Sequence, residues 1–390
     1  MPYAEGRIFH DADAHFMETP DWLASHADPS LRERLGRLHL SGVPESRIDR
    51  FMDKLRAQQA DPDYRAEDQA QIMLRKNWNA TGSFLKEDRS QALDLLGFST
   101  QLIFNTFLNS QLLDAERSGD LDFAYGMARA HNRSMLDFCG VDRRLLSTCY
   151  VPLCDFERAE AMAREALEAG ADALLVASAC PATHSPSHLR LDPVWAQAQE
   201  AGVPIVFHVG GGGELLDPKY FENGLPVPPD FHGGAENFRS VDYMAIPYPV
   251  MQTVATLILD GVLERFPRLM FGVIEQGASW VPGWMRQLDS AHAAFHRLEE
   301  RLQKLSLLPS EYVKRQLRVT PYPAENVGWI IEQAGEEVCL FSSDYPHVEG
   351  GRNPLRRFEA SMEGLSERAR QRFYCDNFAE LMGSRLPSPA

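Results

Sequence analysis

Arg7-Ile8-Phe9-His10-Asp11-Ala12-Asp13-Ala14-His15 starts as an apolar run and ends in residues that bind metals. Side chains of a strand alternate between its two faces, so Asp13 and His15 point the same way. Asp11 shares that parity and competes with Asp13 as a ligand. Two later stretches end in the same manner. Pro204-Ile205-Val206-Phe207-His208 runs into glycines, and Phe341-Ser342-Ser343-Asp344-Tyr345-Pro346-His347 closes a further apolar run. A lone His after a strand is usually a core or loop residue, and a lone Asp there is usually a helix cap. The order and separation of the three motifs argue otherwise, because each sits at the end of a candidate strand: the first, fifth and eighth.

Working outward, short apolar runs alternate with helical stretches, the pattern of βα units around a parallel sheet. Candidate strands cover 7–14, 100–105, 145–153, 173–177, 204–208, 269–275, 317–320 and 338–342. Eight strands are the number a closed barrel needs. The clearest helix is 156–170, ending in Ala169-Gly170 with glycine at the C-cap. Residues 192–202 form another, with Pro193 in its first turn. Two connections exceed ordinary barrel loops. One, 19–88, is charged and helix-prone and contains Trp78; the other, 210–250, is rich in Gly and Pro. Both follow strands, so both are expected over the mouth of the barrel as substrate-covering insertions. The expected fold is therefore α/β, a distorted (β/α)8 TIM barrel with helical and loop insertions after strands 1 and 5. Residues 1–386 form one domain in this reading, and 387–390 a disordered tail.

In such a barrel the C-terminal strand ends converge on one site. Asp13, His15, His208 and Asp344 then supply two imidazoles and two carboxylates. That set balances a divalent cation and leaves a position for water. Mixed N/O ligation suits Zn2+ foremost, with Mn2+ or Fe2+ as alternatives. Zinc lowers the pKa of bound water to about 7, which makes a nucleophile at neutral pH.

These motifs resemble the amidohydrolase superfamily, and more narrowly its aminocarboxymuconate-semialdehyde decarboxylase-like branch, the amidohydrolase family 2 group. The likeness runs from Asp13-x-His15-x-x-Glu18 to Ser343-Asp344-Tyr345-Pro346-His347. It includes Arg265-Phe266-Pro267-Arg268-Leu269 and Gly277-Ala278-Ser279-Trp280-Val281-Pro282 on either side of strand six. The resemblance implies a distorted (β/α)8 barrel with a metal at Asp13, His15, His208 and Asp344. It also implies decarboxylation of aromatic or muconate-type acids, C–C hydrolysis of ring-cleavage products, or hydration. One departure stands out. Decarboxylases of this branch place a His at the end of strand six, where this chain has Ile274-Glu275-Gln276-Gly277. Glu275 is then the candidate for proton transfer, with His347 beside it as a second catalytic candidate. Glu18, Glu275 and His347 are also the spare ligands if a second metal binds.

For the substrate, Arg239 and Arg352 are candidates to bind a carboxylate, with Arg75 and Arg89 behind them. His184, His188 and His232 are loop histidines that a barrel would place near its mouth. His292 and His296 lie four apart but lack the Glu of an HExxH frame, so they read as a helix face. Trp280 and Trp284, also at helical spacing, read as core.

The function expected is a metal-dependent lyase or hydrolase that decarboxylates or hydrolyses a small carboxylated, aromatic-derived compound through a metal-bound water or metal-bound substrate. Two other readings remain open: a dinuclear Fe, Mn or Zn oxygenase-like enzyme on the same barrel, and a non-catalytic barrel subunit beside a catalytic paralogue. The net charge of −16 opposes nucleic-acid binding, which needs basic surface. No apolar run approaches the about 20 residues of a membrane span, and the N-terminus does not read as a signal peptide. A cytoplasmic homodimer acting on a small molecule is expected. Six scattered cysteines without a C-x-x-C read as reduced thiols.

Overall fold

Parallel pairing in strict chain order defines the sheet. In the computed structural model, which describes residues 1–38, 44–226 and 239–387, the order is β1-β2-β3-β4-β5-β6-β7. The strands are β1 (His10–His15), β2 (Thr100–Phe104), β3 (Leu145–Tyr150), β4 (Ala173–Leu175), β5 (Ile205–His208), β6 (Phe271–Ile274) and β7 (Leu317–Val319). All are buried along their length, as runs such as Ile205-Val206-Phe207 require when helices cover one face and the barrel interior the other.

The expected eighth strand departs from regular geometry. Residues 338–345 make only isolated bridges, Val319 with Cys339 and Ala14 with Tyr345. Backbone bonds nevertheless join this segment to both neighbours. Val319 N–H donates to Val338 O (2.8 Å) and Leu340 N–H to Val319 O (2.9 Å). On the other side Ala12 N–H donates to Phe341 O (3.0 Å) and His15 N–H to Tyr345 O (2.7 Å). The segment thus completes the ring, and the architecture is a distorted (β/α)8 barrel. Two causes break the ladder. Asp11 captures the N–H (2.8 Å) and the hydroxyl (2.6 Å) of Ser343, and Asp344 turns the chain at φ 52°. β1 is also irregular, with a register shift between Asp11 and Ala14.

The helices follow from local signals. In Phe156–Glu168 the side chain of Asp155 caps Arg158 N–H, while Ala159, Met162, Ala163 and Ala166 form one buried stripe. Burying a side chain such as Met162 contributes about 1.5–3 kcal/mol. Asp192–Ala201 ends at Gly202, whose φ of 64° suits glycine and closes the last turn onto Ala198 O. Between β1 and β2 lie Trp22–His26, Pro29–Leu35, Ile48–Gln59, Pro62–Ala66, Asp68–Gln71 and Arg89–Leu96. Ile48–Gln59 buries Ile48, Met52 and Leu55 in a small core with Met17, Trp78 and Phe84. Ser240–Ala245 and Tyr248–Leu259 lie between β5 and β6. Among the described residues no helix is long and apolar enough to cross a membrane.

Candidate metal centre

The C-terminal ends of β1, β5 and β6 and the segment 338–347 bring six side chains together. Asp13 Oδ1 lies 3.2 Å from His15 Nε2 and 3.3 Å from His208 Nε2. Glu275 Oε2 lies 3.2 Å from His208 Nε2 and 3.7 Å from His15 Nε2. Asp344 Oδ1 is 3.6 Å from His15 Nε2 and 2.9 Å from His347 Nδ1. Two overlapping sets of donor atoms result, each within 4.8 Å: Asp13, His15, His208 and Glu275, and then His15, Glu275, Asp344 and His347. Ligands about 2.1 Å from a tetrahedral ion sit about 3.4 Å apart, so these spacings match an ion's shell.

The protonation of His15 makes the fit sharper. Its Nδ1 lies 3.0 Å from the backbone carbonyl of Asn105, which can only accept, so Nδ1 carries the proton. Burial, and then the nearby His347, lower its pKa to about 4, so His15 is neutral at pH 7. Nε2 therefore presents a lone pair to the centre, and it is buried without a hydrogen-bond partner. Two acceptors, the His15 Nε2 lone pair and a carboxylate oxygen of Asp13, then face each other at 3.2 Å, both buried. That contact is repulsive unless a cation lies between the two atoms. The donor set fits a divalent cation.

Backbone strain concentrates here as well. Glu275 (φ 54°) and Asp344 (φ 52°) are two of the three non-glycine residues with positive φ among the described residues, and Asn77 (φ 52°) on the cavity wall is the third. Glu275 is held in this conformation from both sides. Its N–H donates to Thr320 Oγ1 (2.8 Å), and its carbonyl accepts from the Tyr322 hydroxyl (2.8 Å). A conformation this unfavourable persists only where surrounding bonds over-determine it.

His347 sits against His15, ring centroids 3.9 Å apart. The hydroxyl of Thr106 donates to Phe16 O (2.8 Å), so Thr106 Oγ1 accepts Nε2–H of His347 (2.9 Å). Burial would lower the His347 pKa, but the Asp344 carboxylate raises it to about 9. Glu18 is not brought into either donor set. Its Oε1 accepts the N–H groups of Thr106 and Phe107, both at 2.9 Å, and burial pushes its pKa up to about 7. Asp11, the rival of Asp13, is spent on Ser343 and on Gln101 Nε2 (2.8 Å), tying β1 to its neighbours.

Above the centre opens a cavity of about 720 Å³. His15, His208, Glu275 and His347 form its floor, and Trp78, Phe107 and Tyr322 contribute aromatic wall. Arg239 lines it, with its guanidinium over the Phe221 ring. Arg352 does not line it; Arg357, five residues on, does. Sequence reading missed Arg357 because the decisive fact is which side of the helix Pro354–Ser361 meets the cavity. Arg75 pairs with Asp68 and Glu67 away from the cavity. Arg89 is fully buried, donating to His15 O (2.9 Å) and Gln101 Oε1 (3.2 Å). His184 and His188 stack on Phe156 outside the cavity. His292 and His296 face each other on the helix Val281–Phe295 and its end, and Trp280 packs on Trp284 against the core. His232 lies outside the described residues. Cys139, Cys149, Cys339 and Cys375 are buried free thiols, Cys154 is half-buried and Cys180 exposed.

Comparison with known proteins accords with this architecture. A crystal structure of an amidohydrolase from Mycobacterium avium subsp. paratuberculosis shares 23% identity at a TM-score of 0.72, covering 97% of this chain and 100% of that one. The 5-carboxyvanillate decarboxylase of Novosphingobium aromaticivorans, solved with manganese and 3-methoxy-4-hydroxy-5-nitrobenzoic acid, is 18% identical at TM-score 0.62, covering 97% of each chain. A dihydroxybenzoic acid decarboxylase from a Polaromonas species, solved with manganese and 2-nitroresorcinol, is 15% identical at TM-score 0.60, again covering 97% of each. No curated protein matches. The family model described as Amidohydrolase matches residues 11–383. The chain therefore belongs to the amidohydrolase family and is an enzyme of that family.

Proposed function

We propose that this enzyme is a metal-dependent carboxy-lyase or hydrolase acting on a small carboxylated, aromatic-derived compound, with loss of CO2 as its leading reaction. The observation that carries the metal is the buried His15 Nε2, without a hydrogen-bond partner, set 3.2 Å from Asp13 Oδ1. Asp13, His15 and His208 would hold a divalent cation with a further carboxylate, either Glu275 from the same donor set or Asp344 from the overlapping one. Zinc, manganese and ferrous iron all suit this donor set, and manganese in the two decarboxylase structures supports the choice of a hard divalent ion. Such a cation supplies Lewis-acid polarisation of a substrate oxygen.

The remaining work falls to side chains of the cavity. Arg239 and Arg357 face a substrate carboxylate from the wall, and Trp78 and Phe107 offer ring surface to an aromatic group. Glu275 delivers the proton that the ring carbon takes up as CO2 leaves, and its pinned backbone keeps the carboxyl aimed into the cavity. In the hydrolytic variant the same group takes a proton from water. We read residues 1–386 as one domain, with the described residues of 19–88 and 210–250 closing over the substrate; Asn77, Trp78, Arg239 and Tyr243 on the cavity wall support that reading.

The test has two parts. His208→Ala should strip most of the metal found in the purified enzyme by elemental analysis; full occupancy in that variant refutes the ligand assignment. With hydroxybenzoate-type acids as probes, release of CO2 supports the lyase, whereas a new acid product with no CO2 supports the hydrolase. The second donor set, His15, Glu275, Asp344 and His347, favours a second reading, a dinuclear centre. Two metals per subunit would establish it, and one would remove it.

A further inference from the structure

Each imidazole of the centre has a second nitrogen that faces away from the other donors, and the loop after β2 reaches all three. His15 Nδ1 bonds Asn105 O at 3.0 Å. His347 Nε2 bonds Thr106 Oγ1 at 2.9 Å. His208 Nδ1 donates to Val209 O at 3.1 Å, and that carbonyl also accepts from Asn109 Nδ2 at 3.1 Å. Three histidines from three separate parts of the chain are thus supported by residues 105–109.

The loop is fastened in turn. Glu18 Oε1 accepts the N–H groups of both Thr106 and Phe107 at 2.9 Å, and the Thr106 hydroxyl donates to Phe16 O at 2.8 Å. Glu18 is fully buried, and its Oε2 has no hydrogen-bond partner. A buried carboxylate with one oxygen unsatisfied is costly. Neither donor set contains it, so its position is not explained by ligation. A neutral side chain would fill the space at lower cost. What the carboxylate provides is one strong acceptor for two adjacent backbone donors, fixing the loop's conformation at the point where it carries Thr106 and approaches Asn109.

We propose that Glu18 is a positioning residue: it clamps the segment Asn105–Asn109, and that segment orients the imidazoles of His15 and His208 toward the cation and holds His347 against Asp344. The inference rests on the metal-centre reading above. Groups that hold the rear nitrogen of a ligating His set its tautomer and direction, and their loss weakens metal binding by about 10–100-fold.

The experiment is direct titration of metal-free protein with Mn2+ and Zn2+ by calorimetry, alongside thermal unfolding of the same metal-free samples. Glu18→Ala should weaken binding by about tenfold or more with stoichiometry unchanged. Glu18→Gln retains an oxygen acceptor for both N–H groups and should restore affinity to within a few-fold of the parent. Asn109→Ala removes only the support behind His208 and should weaken binding several-fold; it carries the test alone should Glu18→Ala not fold. A folded Glu18→Ala or Asn109→Ala with parental affinity overturns the proposal, even if its melting temperature falls, since that would be a purely structural role. A Glu18→Gln variant as impaired as Glu18→Ala, or one with lower stoichiometry, overturns it in favour of direct ligation. His208→Ala separates the two levels. If that variant binds metal like the parent, the metal-centre reading fails and this inference with it; if it loses metal while the Glu18 and Asn109 variants do not, only the clamp fails.

Discussion

His10 and His15 stand at the two ends of one six-residue strand and are treated in opposite ways. At the N-terminal end of β1, His10 bonds Thr100 Oγ1 at 2.8 Å and stacks on Phe378, ring centroids 5.4 Å apart. At the C-terminal end, His15 keeps Nε2 without a hydrogen bond, against the Asp13 carboxylate. Two other groups at the lower end are paired in the same way. Below, Asp172 accepts from Ser147 N–H (2.8 Å) and from Arg385 Nη2 (3.0 Å), and Gln316 Nε2 serves two carbonyls, of Phe266 (2.8 Å) and Leu269 (2.9 Å). Above lie Glu275 and Asp344 in the left-handed region, and buried polar atoms on His15 and Glu18 without hydrogen-bond partners. One end of the barrel holds it together, and the other stores unsatisfied charge for a ligand to relieve.

The largest effect that would sharpen this contrast is at the upper end. Glu275→Gln keeps the shape of the side chain but removes its capacity to exchange a proton. Turnover should fall by about a hundred- to ten-thousandfold. Metal content measured on the same sample then decides the role. Parental occupancy with lost turnover marks a proton carrier, and a matching loss of metal marks a ligand. Parental turnover breaks the assignment.

Much of this division was legible in the chain. The parity of Asp13 and His15, the apolar run into His208 and the Asp344 motif could be read because each depends on a few neighbouring residues. The helix ends at Gly170 and Gly202 were equally local, both glycines having positive φ. What was not legible depends on partners far away in sequence. Nothing near residues 338–342 announces that Asp11 will take Ser343 out of a ladder, 332 positions away. Asn105, Thr106 and Asn109 carry no motif of their own, and their meaning comes only from the histidines behind which they fold. Arg352 and Arg357 look alike as sequence, and only the placement of the helix Pro354–Ser361 puts the second on the cavity wall.

The next effect concerns the lower end. Burial lowers the pKa of His10 to about 4, against about 6.5 in an unfolded chain. Its folded value lies below its unfolded one, so the unfolded state gains the proton first as the solution is acidified. The stabilisation is complete above pH 6.5 and is lost as pH falls towards 4, about 3 kcal/mol in all. His15 and His131, both also lowered to about 4, act in the same direction. His10→Phe keeps a ring against Phe378 and should flatten the dependence of unfolding free energy on pH between 6.5 and 4 by up to about one proton. Denaturant titrations across that window read the slope independently of any offset from packing. An unchanged slope would mean that His10 is protonated in the folded enzyme and that the lower end is less dry than described.

A smaller loss is expected from Asp172→Ala. It leaves the Ser147 N–H without its carboxylate and releases Arg385. Arg385 is partly exposed, so the ion pair itself counts for little. The orphaned N–H dominates, and the cost is about 2 kcal/mol, seen as a lower denaturation midpoint. Metal affinity should not move, because none of these groups touches the centre. A variant that loses stability and metal together would show that the two ends are mechanically coupled and would end the division of labour argued above.

The smallest effect runs in the opposite direction and isolates the strain itself. Glu275 holds φ at 54° with a long side chain, a conformation that costs on the order of 1 kcal/mol or more in any residue but glycine, less in asparagine. Glu275→Asn relieves part of that cost and removes a carboxyl group from beside Asp13. In metal-free protein it should raise the unfolding free energy by about 1 kcal/mol while abolishing turnover. Asn77 provides the internal control. It has nearly the same φ, 52°, but is already a residue that tolerates it. Asn77→Gly should therefore change stability by only a few tenths of a kcal/mol, since the easier backbone is offset by a more flexible unfolded chain. If the two substitutions shift metal-free stability equally, the strain at Glu275 is a property of the turn and not of the residue placed in it.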